Sequence, residues 1–182
     1  MPRLKPVLIS FAAFVVILVV THVATFPGSL AHLMQVTHGQ PILDLKPSFS
    51  SAETYQRLQD FGADGRLAYL ETMLTIDTIF PISAFVFLFL LGRYAASRLG
   101  LRSGPARMLK ALSIAYLVLD FLENLTVVVL LMNYPDRIDA LAASIGFLSV
   151  GKRASMFAAF GVPLLLLGTG HVMRRISRSV SE

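Results

Sequence analysis

Four long runs of apolar residues dominate the chain, and each is long enough to form a helix that crosses a membrane. A hydrocarbon core of about 30 Å needs roughly 20 helical residues. The runs cover residues 7–26, 73–92, 111–132 and 155–172. The pattern predicts an all-α fold, an integral membrane four-helix transmembrane bundle in which residues 1–182 form a single transmembrane domain.

The longest stretch outside these runs is residues 27–71, between the first and second predicted helices. Its first part, 27–48, contains Pro, Gly and His and is predicted to be a loop. Ser50 followed three residues later by Glu53 forms a capping box, which predicts a short helix ending near Gly62. Asp64 and Gly65 indicate that helix two begins early, before its apolar run. We therefore expect a helical extracytoplasmic insertion between helices one and two.

Residues 138–150 are apolar but lie outside the fourth predicted span. Two structures fit this pattern: a separate interfacial helix, or an extension of helix four beyond the membrane.

A second alternative concerns the N-terminus, since residues 1–25 also have the basic start and apolar stretch of a signal peptide. Cleavage there would leave three helices. The long apolar run and the His22-Val23-Ala24 tail favour a retained helix.

Composition supports a membrane protein, because 55% of the residues are hydrophobic, only 15% are charged, and the mean hydropathy is +0.68. A soluble domain has roughly 25% charged residues. The chain contains no Cys, which excludes disulfides, thiolate nucleophiles and iron–sulfur clusters. Nucleotide-binding, hydrolase and zinc-protease motifs are absent from the sequence, so neither a cofactor nor a metal site is predicted.

The basic residues predict the orientation of the helices. Ten of the sixteen lie on one side, with Glu182 as the one acid there: Arg3, Lys5, Arg93, Arg98, Arg102, Arg107, Lys110, Arg174, Arg175 and Arg178. The positive-inside rule makes this side cytoplasmic, so both termini are predicted to be cytoplasmic. Topology accounts for the net charge of +5, and nucleic acid is not an expected partner.

Several polar residues fall within the predicted spans, where ionisable groups cost several kcal/mol and require partners. Asp120, Glu123 and Asn124 follow i, i+3, i+4 spacing, which places them on one helical face that must point into the bundle. Asp77 and His22 lie at similar depths in helices two and one, given a rise of about 1.5 Å per residue. These residues form one zone in the outer half of the membrane.

Pro81 lies four residues after Asp77 and cannot donate a hydrogen bond to its backbone carbonyl. A free carbonyl beside a carboxylate is a strong acceptor. Lys152 and Arg153 lie at the outer mouth, with side chains long enough to reach this zone.

Three interpretations of the polar zone remain open: helix packing, an outward-facing ligand pocket or active site, and a proton or ion path. In the pocket interpretation Glu123, Asp77 and His22 are the candidate catalytic residues. Its candidate ligand-binding residues are Asp120, Asn124, Lys152 and Arg153.

Two stretches carry a resemblance to a known group. They are residues 62–70 leading into Asp77-x-x-Phe80-Pro81, and Asp120-Phe121-Leu122-Glu123-Asn124. They resemble a group of uncharacterised bacterial four-helix integral membrane proteins. The resemblance implies a multi-pass protein of the bacterial inner membrane, and it implies no activity.

Two functions follow as expectations. The first is a multi-pass inner-membrane protein whose outward-facing pocket binds a lipid headgroup or small molecule, with catalysis as one option. The alternative is a non-enzymatic accessory or assembly subunit of a larger membrane complex, in which the buried acids serve helix packing. Membrane lipids are the expected partners, with a membrane-protein partner or a homo-oligomer also open.

Overall fold

The computed structural model describes residues 4–179, with side chains described as far as His171, and this part of the chain is entirely helical outside its loops. Arg3, Glu182 and the side chains of Arg174, Arg175 and Arg178, which enter the predicted charge balance, lie outside that description. The helices are α1 (Leu4–Val23), α2 (Leu30–Val36), α3 (Ser51–Asp60), α4 (Gly62–Leu74), α5 (Ile76–Arg98), α6 (Ser103–Asn133) and α7 (Asp139–Ser179).

Four helical segments are long and apolar enough to cross a membrane, which confirms the four predicted spans and indicates a multi-pass membrane protein. They are α1, the α4–α5 pair over Gly62–Arg98, α6, and α7 over Asp139–His171. α5 packs against α1, α6 and α7, and α6 packs along α7. Most of α1 is exposed, as expected for a helix with lipid on one side.

α7 resolves the alternatives for residues 138–150, because it is one continuous helix from Asp139. This segment is an extension of the fourth apolar helix. It packs against α3, and Ala142 and Ile145 are completely buried there. The apolar residues of the segment therefore cover the insertion.

The insertion packs as a cap on one end of α6 and α7. Its core joins Leu33 of α2, Leu58 of α3 and Tyr69 of α4 to Leu130 of α6 and Ile145 of α7. We call this end of the bundle the insertion end. As predicted, α3 begins at the capping box, where the Ser50 hydroxyl accepts a hydrogen bond from the Glu53 backbone N–H at 3.2 Å.

α2 lies in a segment predicted to be a loop. Ser29 is its N-cap and accepts a hydrogen bond from the His32 backbone N–H at 3.1 Å. The helix has only seven residues, and its stability comes from packing against α4 and α1 rather than from local propensity.

The helix that crosses the bundle after the insertion is interrupted at Thr75, where α4 ends and α5 begins. The Thr75 hydroxyl donates to the Glu71 carbonyl at 2.6 Å and lies 3.4 Å from the Gly28 carbonyl. Gly28 has φ +84°, and a Cβ there would lie 2.5 Å from Thr75 Oγ1. Glycine thus lets the loop after α1 approach the interruption closely.

A second close approach joins the insertion to α7. The Gly146 backbone N–H donates to the Ser48 carbonyl at 2.8 Å. A Cβ on Gly146 would lie 2.5 Å from that carbonyl oxygen and 2.6 Å from Phe49 Cδ1. Residues 48–49 therefore dock directly on the backbone of α7.

Candidate functional site

The acidic face of α6 points into the bundle, as its spacing predicts. Asp120, Glu123 and Asn124 are all buried, and Glu123 is only 1% exposed. Buried carboxyl groups require compensating charge or hydrogen bonds. The neighbouring helix α7 provides both.

Lys152 of α7 supplies the compensating charge. Its ammonium lies 2.8 Å from Asp44 Oδ1 and 3.2 Å from Asp120 Oδ1, and it also contacts Glu123 Oε2. One turn earlier on α7, the Ser149 hydroxyl donates to Glu123 Oε1. One ammonium thus joins the insertion, α6 and α7, and both oxygens of Glu123 are engaged.

Asp44 belongs to the site although the sequence analysis did not single it out. It lies in the part of the insertion predicted to be a loop, directly after the buried Ile42 and Leu43. The Arg153 guanidinium donates to the Asp44 carbonyl, and to the Leu45 carbonyl at 3.1 Å. The position of this acid directly after two apolar residues in a polar loop could have marked it as a candidate site residue. Nothing in the sequence, however, pairs residue 44 with residue 152.

The carbonyl released by Pro81 has a specific partner. Asn124 Nδ2 donates to the Asp77 backbone oxygen at 2.7 Å and to Asp120 Oδ2 at 3.2 Å. The prediction that this carbonyl is an available acceptor is confirmed. Asn124 therefore links α6 to α5 and also stabilises one oxygen of the Asp120 carboxylate.

These residues border a cavity of about 340 Å³ at the insertion end of the bundle. Six of the seven predicted site residues line it: His22, Asp77, Asp120, Asn124, Lys152 and Arg153. The seventh, Glu123, is not among the described lining residues. It lies in an ion pair with Lys152. Residues from four helices and the insertion thus meet at one polar cavity.

The two predicted catalytic residues that line the cavity differ in their surroundings. Asp77 is partly buried, and within residues 4–171 its carboxylate makes no hydrogen bond or ion pair with another side chain or with the backbone. His22 is exposed on α1; its Nδ1 lies 3.0 Å from the Leu18 carbonyl and 2.9 Å from Thr21 Oγ1. The ring of His22 packs 5.3 Å from that of Phe80. His22 therefore lies at the rim of the cavity, and Asp77 lies in its wall.

Tyr116 of α6 also lines the cavity and was not predicted. It is 2% exposed, and its hydroxyl has no hydrogen-bond partner among the residues whose side chains are described. A tyrosine within an apolar span is typical of packing, and Tyr116 does contribute to the core with Phe87 and Ala159. Its position one turn before Asp120 on α6 was the only available signal.

The carboxyl groups do not form a metal site. Within the described part of the chain no three His, Cys, Asp or Glu side chains are placed to hold a metal ion. Asp44, Asp120 and Glu123 surround the Lys152 ammonium instead.

Comparisons with family models, curated proteins and solved structures found no match to this chain.

Proposed function

We propose that this protein is a multi-pass inner-membrane protein whose polar cavity opens on the extracytoplasmic side and binds a lipid headgroup or a small molecule. One observation carries the proposal: Asp77 and Tyr116 line the cavity, and among the described residues the Asp77 carboxylate and the Tyr116 hydroxyl have no partner, although the neighbouring Asp120 carboxylate is paired. Buried polar groups in proteins are nearly always hydrogen-bonded. A bound molecule would supply the missing partners.

The size and lining of the cavity support binding. Its volume of about 340 Å³ falls at the lower end of the range of small-molecule sites, roughly 300–1,000 Å³. Such sites combine apolar walls with a few convergent polar groups. Here Ile76, Phe80 and Met156 provide apolar wall beside the polar side chains.

The charge distribution supports the proposed orientation. The cavity lies at the insertion end, whereas Arg93, Arg98, Arg102 and Arg107 lie around the link between α5 and α6 at the other end of these helices. Positive residues favour the cytoplasmic side. On this basis we infer that both termini are cytoplasmic and that the cavity opens on the outside.

The absence of cysteine from the chain permits a direct test of orientation. Asp64 and Ser97 are exposed at opposite ends of the α4–α5 pair and can each be replaced by a single cysteine. With a membrane-impermeant maleimide and intact spheroplasts, we expect Asp64→Cys to be labelled at once and Ser97→Cys only after lysis. The reverse pattern would place the cavity on the cytoplasmic side.

The alternative function, an accessory subunit, explains only part of the site. Lys152 and its carboxylate partners join the helices, but the Asp77 carboxylate and the Tyr116 hydroxyl have no partner among the described residues. Native mass spectrometry of protein released in mild detergent separates the two functions. We expect a reproducible added mass in the range of a lipid or small molecule. A stoichiometric protein companion and no small adduct would instead support the accessory role.

A further inference from the structure

The cavity and its ion pairs contain more acidic than basic groups. Asp44, Asp77, Asp120 and Glu123 lie in one connected region with the basic side chains of Lys152 and Arg153 and, at the rim, the His22 imidazole. Lys152 is shared among three of the carboxylates. The Arg153 guanidinium is turned to the backbone carbonyls of residues 44 and 45. No basic group of the described residues pairs with Asp77.

The arrangement of the basic groups argues against an anionic ligand. The ammonium of Lys152 lies within ion-pair distance of three carboxylates, so its charge is already compensated. A phosphate or carboxylate in the cavity would have to displace one of these ion pairs. It would also approach the unpaired carboxylate of Asp77. We therefore expect the opposite charge on the ligand.

Tyr116 provides an independent indication that the cavity receives a hydrogen-bonding group. Tyr116 lines the cavity, and its buried hydroxyl is unpartnered in the described structure. A hydroxyl can accept a hydrogen bond, and an ionised carboxylate can only accept. The Asp77 carboxylate and the Tyr116 hydroxyl can therefore both accept a hydrogen bond from a donor-rich ligand group.

The remaining wall restricts the ligand further. Phe80, Pro81 and Met156 face the same cavity and are apolar. A hydrated metal ion would leave this surface unused, and the described carboxylates do not form a metal-binding group. An organic cation with an apolar body fits both parts of the lining.

From these observations we propose that the cavity binds a protonated amine carried on an apolar body, with the ammonium donating to the Asp77 carboxylate and the Tyr116 hydroxyl. This inference rests on the proposed binding function and names its ligand class. The amine can belong to the headgroup of an aminophospholipid or to a free small molecule, since the two present the same ammonium chemistry.

The test uses the purified full-length protein in detergent and n-pentylammonium as the probe, with 1-pentanol and pentanoate as matched neutral and anionic molecules. Isothermal titration calorimetry should show that the ammonium binds about 10–100-fold more tightly than the alcohol, as expected for a charge-assisted hydrogen bond. Pentanoate should bind more weakly than both.

Variants identify the groups responsible. Asp77→Asn, which keeps the side-chain shape and removes the charge, should lose the preference for the ammonium over the alcohol. Asp64→Asn removes an exposed acid of α4 outside the cavity and should keep it. Tyr116→Phe should weaken ammonium binding about 2–10-fold, the value of one neutral hydrogen bond. Tyr116→Phe provides an independent test if Asp77→Asn does not fold, as judged by circular dichroism and gel filtration.

Lipid nanodiscs distinguish the two sources of the amine. Native mass spectrometry after reconstitution with phosphatidylethanolamine or phosphatidylglycerol should show selective retention of the former if the amine is a headgroup, and Asp77→Asn should lose it. Retention of neither lipid, with pentylammonium still bound, would assign the site to a free amine.

Two further outcomes separate failure of this inference from failure of the proposed function. Equal binding of pentylammonium and pentanol, or equal effects of Asp77→Asn and Asp64→Asn, would overturn the amine assignment while leaving a binding cavity. Failure of all probes and lipids to bind, together with a protein companion in native spectra, would overturn both.

Discussion

Replacing Lys152 with methionine is expected to lower the free energy of unfolding by about 3–5 kcal/mol, the typical cost of removing one partner from a buried ion pair. Methionine has nearly the same length and fills the same space, so the substitution removes the positive charge without leaving a cavity. Asp120 and Glu123 would remain buried without a counter-ion, and the Asp44 carboxylate would lose its ion pair. Thermal unfolding in detergent, followed by circular dichroism, measures the effect.

Lys46→Met is the matched control, because Lys46 is exposed and its side chain is outside the ion-pair network. We expect a change within about 0.5 kcal/mol for this surface site. Adding Asp120→Asn and Glu123→Gln to Lys152→Met should recover much of the lost stability, because the uncompensated charges are then removed. An equal effect of the two lysine substitutions would show that the three contacts of Lys152 contribute nothing.

Replacing Gly146 with alanine is expected to destabilise the protein by about 1–3 kcal/mol, the usual cost of inserting a methyl group into a tightly packed contact. The new Cβ would lie 2.5 Å from the Ser48 carbonyl oxygen and 2.6 Å from Phe49 Cδ1. Either the insertion or α7 must shift, and the hydrogen bond from Gly146 to Ser48 would lengthen or break. Limited proteolysis of residues 40–50 should accelerate together with the drop in melting temperature.

Gly168→Ala is the control on the same helix, because a Cβ there meets no atom of the described residues within 4 Å. Alanine is a better helix former than glycine, so this change should be neutral or stabilising by about 0.5–1 kcal/mol. Opposite signs at the two glycines are the expected result. A stabilising effect at Gly146 would mean that the docking of residues 48–49 is loose in solution.

The long helices could be predicted because apolar length alone specifies them. The runs at 7–26, 73–92, 111–132 and 155–172 all correspond to described helices of sufficient length and apolar character. Two features of the fold depend instead on tertiary contacts. The short helix α2 is held by packing on α1 and α4, and the first turns of α7 are buried by packing against the insertion.

The site could be predicted in part for a different reason. Acids and amides within apolar helices are rare enough to stand out, and the spacing of Asp120, Glu123 and Asn124 determines their common face. Asp44 escaped detection because its partner, Lys152, is more than one hundred residues away along the chain. Tyr116 escaped because its unpaired hydroxyl is a property of the folded surroundings.

The structure also divides the polar zone, which the sequence analysis treated as one unit. Glu123 and Lys152 lie in close ion pairs, as the helix-packing interpretation expects. Asp77 and Tyr116 lie in the cavity wall without partners among the described residues, as the pocket interpretation expects. Glu123 and Asp77, both predicted as catalytic, thus occupy different surroundings, and their substitution should have separable effects on stability and binding.

The ion pair between α6 and α7 bears on how the chain is made. A ribosome delivers α6 before α7, so Asp120 and Glu123 emerge while Lys152 is still to be synthesised. An uncompensated acid at the centre of an inserting helix costs about 2.5–3.5 kcal/mol. α6 carries two of them, so pairing with Lys152 of α7 makes it more favourable in lipid. We therefore expect the last two helices to enter the bilayer together as a hairpin, and truncation before Lys152 to reduce the insertion of α6.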